Sequence, residues 1–379
     1  MKILMISLDK TLLGQVGIGD AIRRHQEYAK QVESLEVLVF SKAGYQLNNL
    51  APNLEIYPTN SWSRWFYIFK AYQLGCNILK TKKVDLIVTQ DPLLTGLVGW
   101  LLKIKFKVKL FVDLHGDFLT NKFWLKEKWY NRILFLVAKF IINRADGLRP
   151  VSRGVAADLS QFKVSEQKIF NISTPVDLQS FAQVKTEEID FLKHKYAGHK
   201  VILFVGRLVP AKGLDTLLQA LKIVVNGYPK VVCILAGDGE ERFKLQVLAK
   251  QLEIAAQLEI LGLVDHQKLS VLYHLCDLVV LPSTNESFGK VLLEGAMAQK
   301  PAVATATTGP KEIIIDGQTG FIVPIGNAEK LAEKILLLLQ DDQMAKAMGQ
   351  QAAKHIMETY GWEKSIDKII QAWTITAKL

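Results

Sequence analysis

The chain has 379 residues, of which 49% are hydrophobic and 22% are charged, a composition that excludes a disordered protein. The three cysteines, Cys76, Cys233 and Cys276, lie far apart in apolar surroundings, which excludes a disulfide framework and a cysteine-ligated metal site. Lysines interrupt every apolar run before it reaches the length of a bilayer span, and the apolar N-terminal run is too short for a signal segment. We therefore predict a cytoplasmic protein without a transmembrane helix.

The net charge of +10 is distributed unevenly along the chain. Residues 1–185 contain 26 Lys and Arg against 15 Asp and Glu, whereas the remaining residues contain 21 against 22. A basic first half indicates an anionic partner, either a membrane surface or nucleic acid.

Apolar runs alternate with segments of helix length in the first half of the chain, which is typical of a parallel sheet covered on both faces. The predicted strands are Lys2–Ser7, Leu35–Phe40, Leu86–Thr89, Val108–Val112 and Gly147–Pro150. The predicted helices are Asp20–Gln31, Trp65–Lys82, Pro92–Ile104 and Phe123–Arg144. This order predicts a Rossmann-like domain over residues 1–183.

The alternation restarts after a polar stretch and predicts a second Rossmann-like domain over residues 184–360. Its predicted strands are Val201–Val205, Val231–Ala236, Leu258–Leu261, Leu278–Leu281, Ala302–Thr305 and Gly320–Val323. Its predicted helices are Gly213–Asn226, Gly239–Gln251, His266–His274, Gly289–Ala298 and Ala328–Gln340. Residues 361–379 form an amphipathic helix that we expect to cross back onto the first domain. Two α/β halves imply a cleft that binds its ligand at the carboxyl ends of the strands.

Two segments of the first domain contain residues suited to a ligand. Glycines at positions 14, 17 and 19 follow the first strand, where they could admit a phosphate close to the backbone, although their spacing does not match a nicotinamide fingerprint. His115 follows the fourth strand, and a neutral imidazole there can both donate and accept a hydrogen bond. A structural histidine is the alternative. Asp113 and Asp117 are weaker candidates, because loop aspartates commonly cap helices.

In the second domain, the strand Val201–Val205 runs into a loop that contains Gly206, Arg207, Lys212 and Gly213. Gly206 permits a tight turn, and we expect Arg207 and Lys212 to project into the cleft. The planar guanidinium of Arg207 and the ammonium of Lys212 together suit a diphosphate, which gains negative charge as it leaves. The alternative is a pair of solvated cations.

A second loop, after the strand Leu278–Leu281, contains Glu286 and leads into a helix that carries Glu294. Free N–H groups at the helix start favour an anion. Glu286 could accept hydrogen bonds from a sugar, and Glu294 could accept them from a ribose diol. The alternatives are a helix-dipole charge for Glu286 and an exposed charge for Glu294. However, a carboxylate in so apolar a helix needs a partner.

Several motifs, in this order and spacing, resemble those of the retaining glycosyltransferases of family four, which have the GT-B fold. In this chain they are Gly206-Arg207, Lys212-Gly213, Ala236-Gly237-Asp238-Gly239, Leu261-Gly262-Leu263, and Glu286-Ser287-Phe288-Gly289 through Glu294. The resemblance covers nearly the whole chain. It implies two Rossmann-like domains that face each other across a cleft.

The resemblance also implies roles for the residues of the second domain. Arg207 and Lys212 would hold the donor phosphates, and Glu286 would face the transferred sugar. Glu294 would face the ribose, and the backbone near Leu263 would border the base. The remaining members of this donor site would be Gly206, Phe288 and Gly289.

In the first domain, the resemblance implies that Gly17 and Gly19 approach the donor phosphate and that His115 contacts the donor sugar near the reaction centre. The family usually needs no metal, and no Asp-X-Asp motif follows a strand here. We therefore expect a UDP- or GDP-sugar as donor, no cofactor and no metal.

The acceptor is expected on the first domain, whose segments 61–70 and 123–130 mix aromatic residues with cations. Such segments are typical of helices at a membrane interface, and they favour a saccharide or polyprenyl-linked saccharide acceptor at the inner face of the cell membrane. Helices that pack on their own sheet are the alternative. No recognition motif supports nucleic acid.

Bacterial cell-surface polysaccharide assembly is the role that we predict from these features. Two other classes stay open. One is a different GT-B enzyme, such as a nucleotide-sugar epimerase or a phosphorylase, and the other is a non-catalytic glycan- or lipid-binding scaffold.

Overall fold

The computed structural model describes residues 1–14, 21–63, 66–115, 119, 125, 128–162, 164–176, 178–182, 184 and 186–379. Within them the chain forms two compact units, residues 1–175 with 363–379, and residues 176–362. The predicted domain boundary after residue 183 falls inside the second unit. The reason is that the short helix Gln179–Ala182 already packs against helices of that unit.

The first unit is a sheet with helices beside it. Its strands are β1 (Lys2–Ser7), β2 (Ser34–Val39), β3 (Asn48–Ala51), β4 (Leu54–Pro58), β5 (Leu86–Thr89), β6 (Lys109–Leu114) and β7 (Gly147–Pro150). Its helices are α1 (Ala21–Lys30), α2 (Tyr67–Thr81), α3 (Leu94–Phe106), α4 (Asn131–Ile142) and α5 (Arg153–Leu159).

The strand order of this sheet is β3-β4-β2-β1-β5-β6-β7, and every pairing is parallel except that of β3 with β4. β1 lies in the middle, with Met5 opposite Val37 of β2 and Val88 of β5. Its apolar residues are buried because helices cover both faces of the sheet. The antiparallel β3–β4 pair was not predicted, since β3 is short and begins with two asparagines.

The second unit has the same layered construction. Its strands are β8 (Lys200–Val205), β9 (Val231–Ala236), β10 (Leu258–Gly262), β11 (Leu278–Leu281), β12 (Ala302–Thr305) and β13 (Gly320–Val323). Its helices are α6 (Gln179–Ala182), α7 (Thr186–Lys195), α8 (Leu214–Gly227), α9 (Arg242–Gln251), α10 (His266–Leu275), α11 (Lys290–Met297), α12 (Thr308–Ile313), α13 (Ala328–Gln340) and α14 (Asp342–Thr359). The chain then ends in α15 (Trp362–Lys378).

The second sheet is wholly parallel, in the order β10-β9-β8-β11-β12-β13. Strands β8, β11 and β12 are apolar and almost completely buried. The prediction of two parallel-sheet α/β domains is confirmed. The long polar helix α14 was not predicted, and it packs against α11 and α13.

Helix α15 lies in the first unit, where its apolar face packs beside α1. The ring of Trp373 is buried and meets that of Tyr28 edge to face, with centroids 5.0 Å apart. The Gln31 Nε2 donates a hydrogen bond to the Asp367 Oδ1 at 2.9 Å. The last helix therefore contributes directly to the core of the first unit.

One predicted helix, Phe123–Arg144, is not continuous, although Leu125 within it is helical. Residues 128–130 form a loop and turn, and α4 begins only at Asn131. Its N-cap residue, Tyr130, makes no side-chain hydrogen bond to the helix start. In the described ranges, no helix combines the length and the apolar character needed to cross a bilayer.

Candidate active site

The order of strands in the second sheet changes direction between β8 and β11. The chain moves outward to β10 on one side of this point and to β13 on the other, so the loops after the neighbouring strands β8 and β11 begin side by side at the carboxyl edge of the sheet. In open α/β sheets this switch point is where ligands bind. Arg207 and Lys212 follow β8, and Glu286 follows β11.

The two loops are joined by backbone contacts. Thr284 N donates to the Ala211 carbonyl at 3.0 Å. Gly213 has φ +60°, and a Cβ on it would stand 2.3 Å from the Pro282 carbonyl oxygen. A side chain at Gly213 would thus force the loops apart, and glycine lets them approach.

This approach brings Lys212 and Glu286 into an ion pair. The Lys212 Nζ lies 2.6 Å from the Glu286 Oε2, and the two side chains are only 20% and 16% exposed. The Glu286 carbonyl also accepts a hydrogen bond from Gly309 N at 2.8 Å, which fixes the loop. An ammonium has three N–H donors, so Lys212 can keep Glu286 and still donate to a ligand.

Arg207 lies on the same loop as Lys212, and its side chain is exposed. Its guanidinium makes no hydrogen bond or ion pair with any residue in the described ranges. The loop backbone is nevertheless fixed, because Gly206 N donates to the Ala236 carbonyl at 3.1 Å and Leu208 N donates to the Asp238 carbonyl at 3.0 Å. The fixed loop therefore presents the unpaired guanidinium of Arg207 together with the partly buried ammonium of Lys212.

Phe288 and Gly289 lie between Glu286 and the start of α11. The ring of Phe288 is buried, with its centroid 5.9 Å from that of Tyr360. Gly289 has φ +87° and precedes α11, whose N-terminus has no side-chain cap. Phe288 thus anchors the loop through packing, while the backbone N–H groups at the helix start stay available to an acceptor.

Glu294 is buried within α11, which contradicts the reading of it as a charge on an exposed helix face. The Tyr273 hydroxyl donates to its Oε2 at 2.8 Å, and the Lys290 Nζ lies 3.8 Å from its Oε1. Burial, together with the Glu294 charge, raises the pKa of Tyr273 well above its usual value. Tyr273 therefore stays protonated and holds this carboxylate in one orientation.

Leu263 follows β10 and is exposed. Beside it, Gly262 pairs with Gly237 of the next loop, where Arg242 donates to the Asp238 Oδ2 at 3.1 Å. In strand order, the carboxyl edge of this sheet presents Leu263, the loop after β9, the cations after β8 and Glu286 after β11. The predicted residues of the second unit thus lie along the carboxyl edge of its sheet. The exceptions are the buried ring of Phe288 and the buried carboxylate of Glu294.

In the first unit, His115 follows β6 beside a buried ion pair. Arg149 of β7 donates through Nε and Nη2 to the two carboxylate oxygens of Asp113, at 2.8 and 2.7 Å. Burial alone would raise the pKa of Asp113, but the Arg149 charge and the hydrogen bonds to the carboxylate lower it to about 2. Asp113 is therefore a strand residue in an ion pair, and the reading of it as a helix cap is wrong.

This pair also sets the state of His115. Its Nε2 lies 3.2 Å from the Arg149 Nη2, and its Nδ1 lies 3.4 Å from the Thr174 Oγ1. Desolvation, reinforced by the charges of Arg149 and Arg24, lowers the pKa of His115. The same Nε2 lies 3.5 Å from the Asp113 Oδ2, so this nitrogen faces both a donor and an acceptor, and the lowered pKa determines the charge of the ring. His115 is thus a neutral imidazole at pH 7.

Gly17 and Gly19 lie outside the described residues. In the described ranges, no group of three or more His, Cys, Asp or Glu side chains could hold a metal ion.

Two functional-site neighbours were missed from the sequence. Arg149 could have been found as the one cation inside the otherwise apolar predicted strand Gly147–Pro150, since a buried charge needs a partner. Tyr273 gave no signal, because a tyrosine in an apolar helix is usual in a protein core.

Comparisons with known proteins agree with this architecture. The family described as "Glycosyl transferases group 1" matches residues 185–355, and that described as "Glycosyltransferase Family 4" matches residues 28–180. An uncharacterized glycosyltransferase of Methanocaldococcus jannaschii is 26% identical over 97% of this chain and 96% of its own length.

Two solved structures show the same fold. Sucrose-phosphate synthase from Thermosynechococcus elongatus has a TM-score of 0.86 at 21% identity, covering 99% of this chain and 98% of that one. Anabaena HepE, in complex with UDP and glucose, has a TM-score of 0.81 at 21% identity, covering 99% of this chain and 100% of that one. The predicted family is confirmed: the chain is an enzyme of the group 1, family 4 glycosyltransferases and has their GT-B fold.

Proposed function

We propose that this glycosyltransferase moves a sugar from a UDP- or GDP-sugar to a saccharide or lipid-linked saccharide, with retention of configuration and without a metal. The observation that carries the proposal is the pair of cations at the switch point of the second sheet. Arg207 is uncommitted, and Lys212 keeps N–H donors beyond its contact with Glu286. The complex of Anabaena HepE with UDP and glucose supports a nucleotide-sugar donor.

The cations suit the chemistry of sugar transfer. As the bond between the anomeric carbon and the phosphate oxygen breaks, the departing diphosphate gains negative charge. A preorganised guanidinium and ammonium stabilise that charge more in the transition state than in the ground state, which accelerates the reaction. The same cations could make a metal unnecessary.

Retention follows if the acceptor hydroxyl attacks on the face that the diphosphate leaves. The hydroxyl oxygen forms the new bond to the anomeric carbon, and its proton passes to the departing phosphate oxygen. In this scheme Glu286 faces the transferred sugar, and its contact with Lys212 couples the sugar site to the phosphate site. Glu294 accepts hydrogen bonds from the ribose, oriented by Tyr273.

In the first unit, His115 is the residue that we propose as a contact of the donor sugar. As a neutral imidazole, it can take part in a hydrogen bond with a sugar hydroxyl without adding a charge. The acceptor also binds to the first unit, whose basic charge suits a polyprenyl diphosphate-linked saccharide at the inner face of the membrane. A role in cell-surface polysaccharide assembly fits such an acceptor.

A screen of UDP-, GDP- and ADP-sugars by thermal unfolding tests this function. At 100 times the dissociation constant, the right donor stabilises the native state by about 2.7 kcal/mol, or roughly 5 to 10 °C for a unit of this size. NMR of the product should then show the anomeric configuration of the donor. Absence of a shift with every donor, or an inverted product, would contradict the proposal.

A further inference from the structure

Helices α2, α3 and α4 form one layer on the first sheet. Each connects a strand to a parallel strand further along the same direction of the sheet, so right-handed crossovers place all three on one face. The contacts agree, because α3 packs beside both α2 and α4. Between α3 and α4, Trp100 meets Phe140 edge to face with centroids 4.8 Å apart.

The outer surface of α4 is apolar as well as the inner one. Ala138 and Ile141 are buried against the sheet. On the opposite side Ile133 and Leu136 form an exposed apolar stripe, and Trp129, in the turn just before α4, is exposed as well. A helix that only covered its own sheet would carry polar residues on this side.

A second exposed group precedes and begins α2. Trp62, Phe66 and Phe69 are exposed, and the rings of Trp62 and Phe66 stack with centroids 4.8 Å apart. Helices of a parallel α/β layer run opposite to the strands, so their N-terminal ends lie at the carboxyl edge of the sheet. Both exposed groups are therefore at the edge where His115 follows β6. We call them the aromatic edge, which consists of Trp62, Phe66, Phe69, Trp129, Ile133 and Leu136.

The charges of this layer have one sign. Helices α2, α3 and α4 contain no Asp or Glu, whereas they contain six cations, Lys70, Lys80, Lys103, Lys105, Arg132 and Lys139. Arg132 and Lys139, which flank the stripe on α4, form no ion pair with any residue that the structure describes. Lys103, by contrast, pairs with Asp146 at 2.6 Å. The layer thus combines exposed aromatic rings with a surplus of positive charge.

We propose that the aromatic edge docks on an anionic phospholipid surface. A bilayer interface offers an apolar depth for tryptophan and aliphatic side chains and, around it, the anionic headgroups that lysine and arginine need. A second copy of this chain would set six cations against six others. The proposal rests on the lipid-linked acceptor proposed above, since docking at this edge would bring His115 and the acceptor's headgroup to the same side of the first unit.

Sedimentation with lipid vesicles tests the docking surface. The full chain is mixed with vesicles of phosphatidylcholine containing 30% phosphatidylglycerol, or of phosphatidylcholine alone, over a range of salt concentrations. Binding is expected only with the anionic vesicles, and it should weaken as salt shortens the Debye length to about 3 Å at 1 M. Loss of both free cations, R132Q with K139Q, should weaken binding about 25-fold, or about fivefold per cation.

Matched variants test whether vesicle binding depends on this surface or on any exposed aromatic or basic residue. Trp129→Ala should weaken binding to anionic vesicles by about fivefold or more, because Trp129 is 78% exposed in the turn that leads into the stripe. Phe243→Ala is its control, since Phe243 is 76% exposed but lies on α9 of the second unit. The exposed Lys346 on α14 provides K346Q as the charge control. Both controls should bind as the wild type does.

The outcomes distinguish this inference from the proposed function. Equal binding to neutral vesicles, no binding, or equal loss in the controls overturns the docking surface. A concentration-dependent dimer that Trp129→Ala abolishes also overturns it, in favour of a second copy. Donor binding by calorimetry is measured on each variant: if it persists while vesicle binding never occurs, the docking surface fails and the transferase proposal stands. If no donor binds, the transferase proposal fails whatever the vesicles show.

Discussion

Replacing Lys212 with methionine tests the ion pair at the switch point most sharply. The substitution keeps the length of the side chain and removes the ammonium that lies 2.6 Å from the Glu286 Oε2. A charge-assisted hydrogen bond contributes about 1.5–3 kcal/mol, so loss of this contact to a diphosphate should weaken UDP binding about 10- to 100-fold.

The same substitution has a cost in stability that can be separated from binding. Removing one partner of a fully buried ion pair costs about 3–5 kcal/mol. Because both side chains keep some contact with solvent, we expect about 1–2 kcal/mol here, which lowers the melting temperature of the second unit by roughly 2 to 8 °C. Calorimetric titration with UDP at 25 °C therefore measures binding on a folded protein.

Lys222 supplies the matched control for this experiment. It lies on α8 of the same unit and pairs with Glu253 at 3.3 Å, but this pair is more exposed, with 36% of the Lys222 side chain and 84% of the Glu253 side chain accessible to solvent. Lys222→Met should bind UDP as the wild type does and lose less than about 1 kcal/mol of stability. Wild-type affinity in Lys212→Met, or an equal loss in both variants, would refute the assignment of Lys212 to the diphosphate.

Two further variants test the first unit by urea unfolding. Arg149→Met should lower the free energy of unfolding by about 3–5 kcal/mol at pH 7, because Asp113 stays charged and buried without its cation. In the wild type the pKa of Asp113 is lowered to about 2. The stabilisation of the fold that results is complete above the usual pKa of 3.8 and is lost as the pH falls through 2. In the variant the pKa of Asp113 rises, so the loss of unfolding free energy relative to the wild type should shrink between pH 7 and pH 5. A loss that stays constant over this range would contradict the account. Trp373→Ala should cost about 3–5 kcal/mol, since it removes a buried ring packed on Tyr28, whereas the exposed Ile375→Ala should cost less than about 1 kcal/mol; equal costs would show that α15 is not part of this core.

The strands were predictable because a parallel sheet buried on both faces requires continuous apolar runs. Lys2–Ser7, Leu86–Thr89 and Val231–Ala236 have the same bounds in the sequence prediction and in the structure. The short β3 carries no such run, since it pairs with β4 at the sheet edge and none of its four residues is fully buried. Helix α14 is polar over much of its length, so its helical period was weak.

The site was predictable where loops leave apolar strands, since glycines and cations stand out there. Lys212 and Glu286 are 74 residues apart, yet both follow strands that the topology makes neighbours. Burial was harder to predict. An exposed position was the alternative for Glu294, and a helix cap was the alternative for Asp113. Their partners in the structure, Tyr273 and Arg149, come from other elements of the fold.

A solved complex with UDP tests the central claim most directly. Oxygens of the diphosphate should lie about 2.7–3.2 Å from the Lys212 Nζ and from the guanidinium of Arg207, at the carboxyl ends of β8 and β11. A diphosphate bound at any other edge of either sheet, with Lys212 still held only by Glu286, would contradict it.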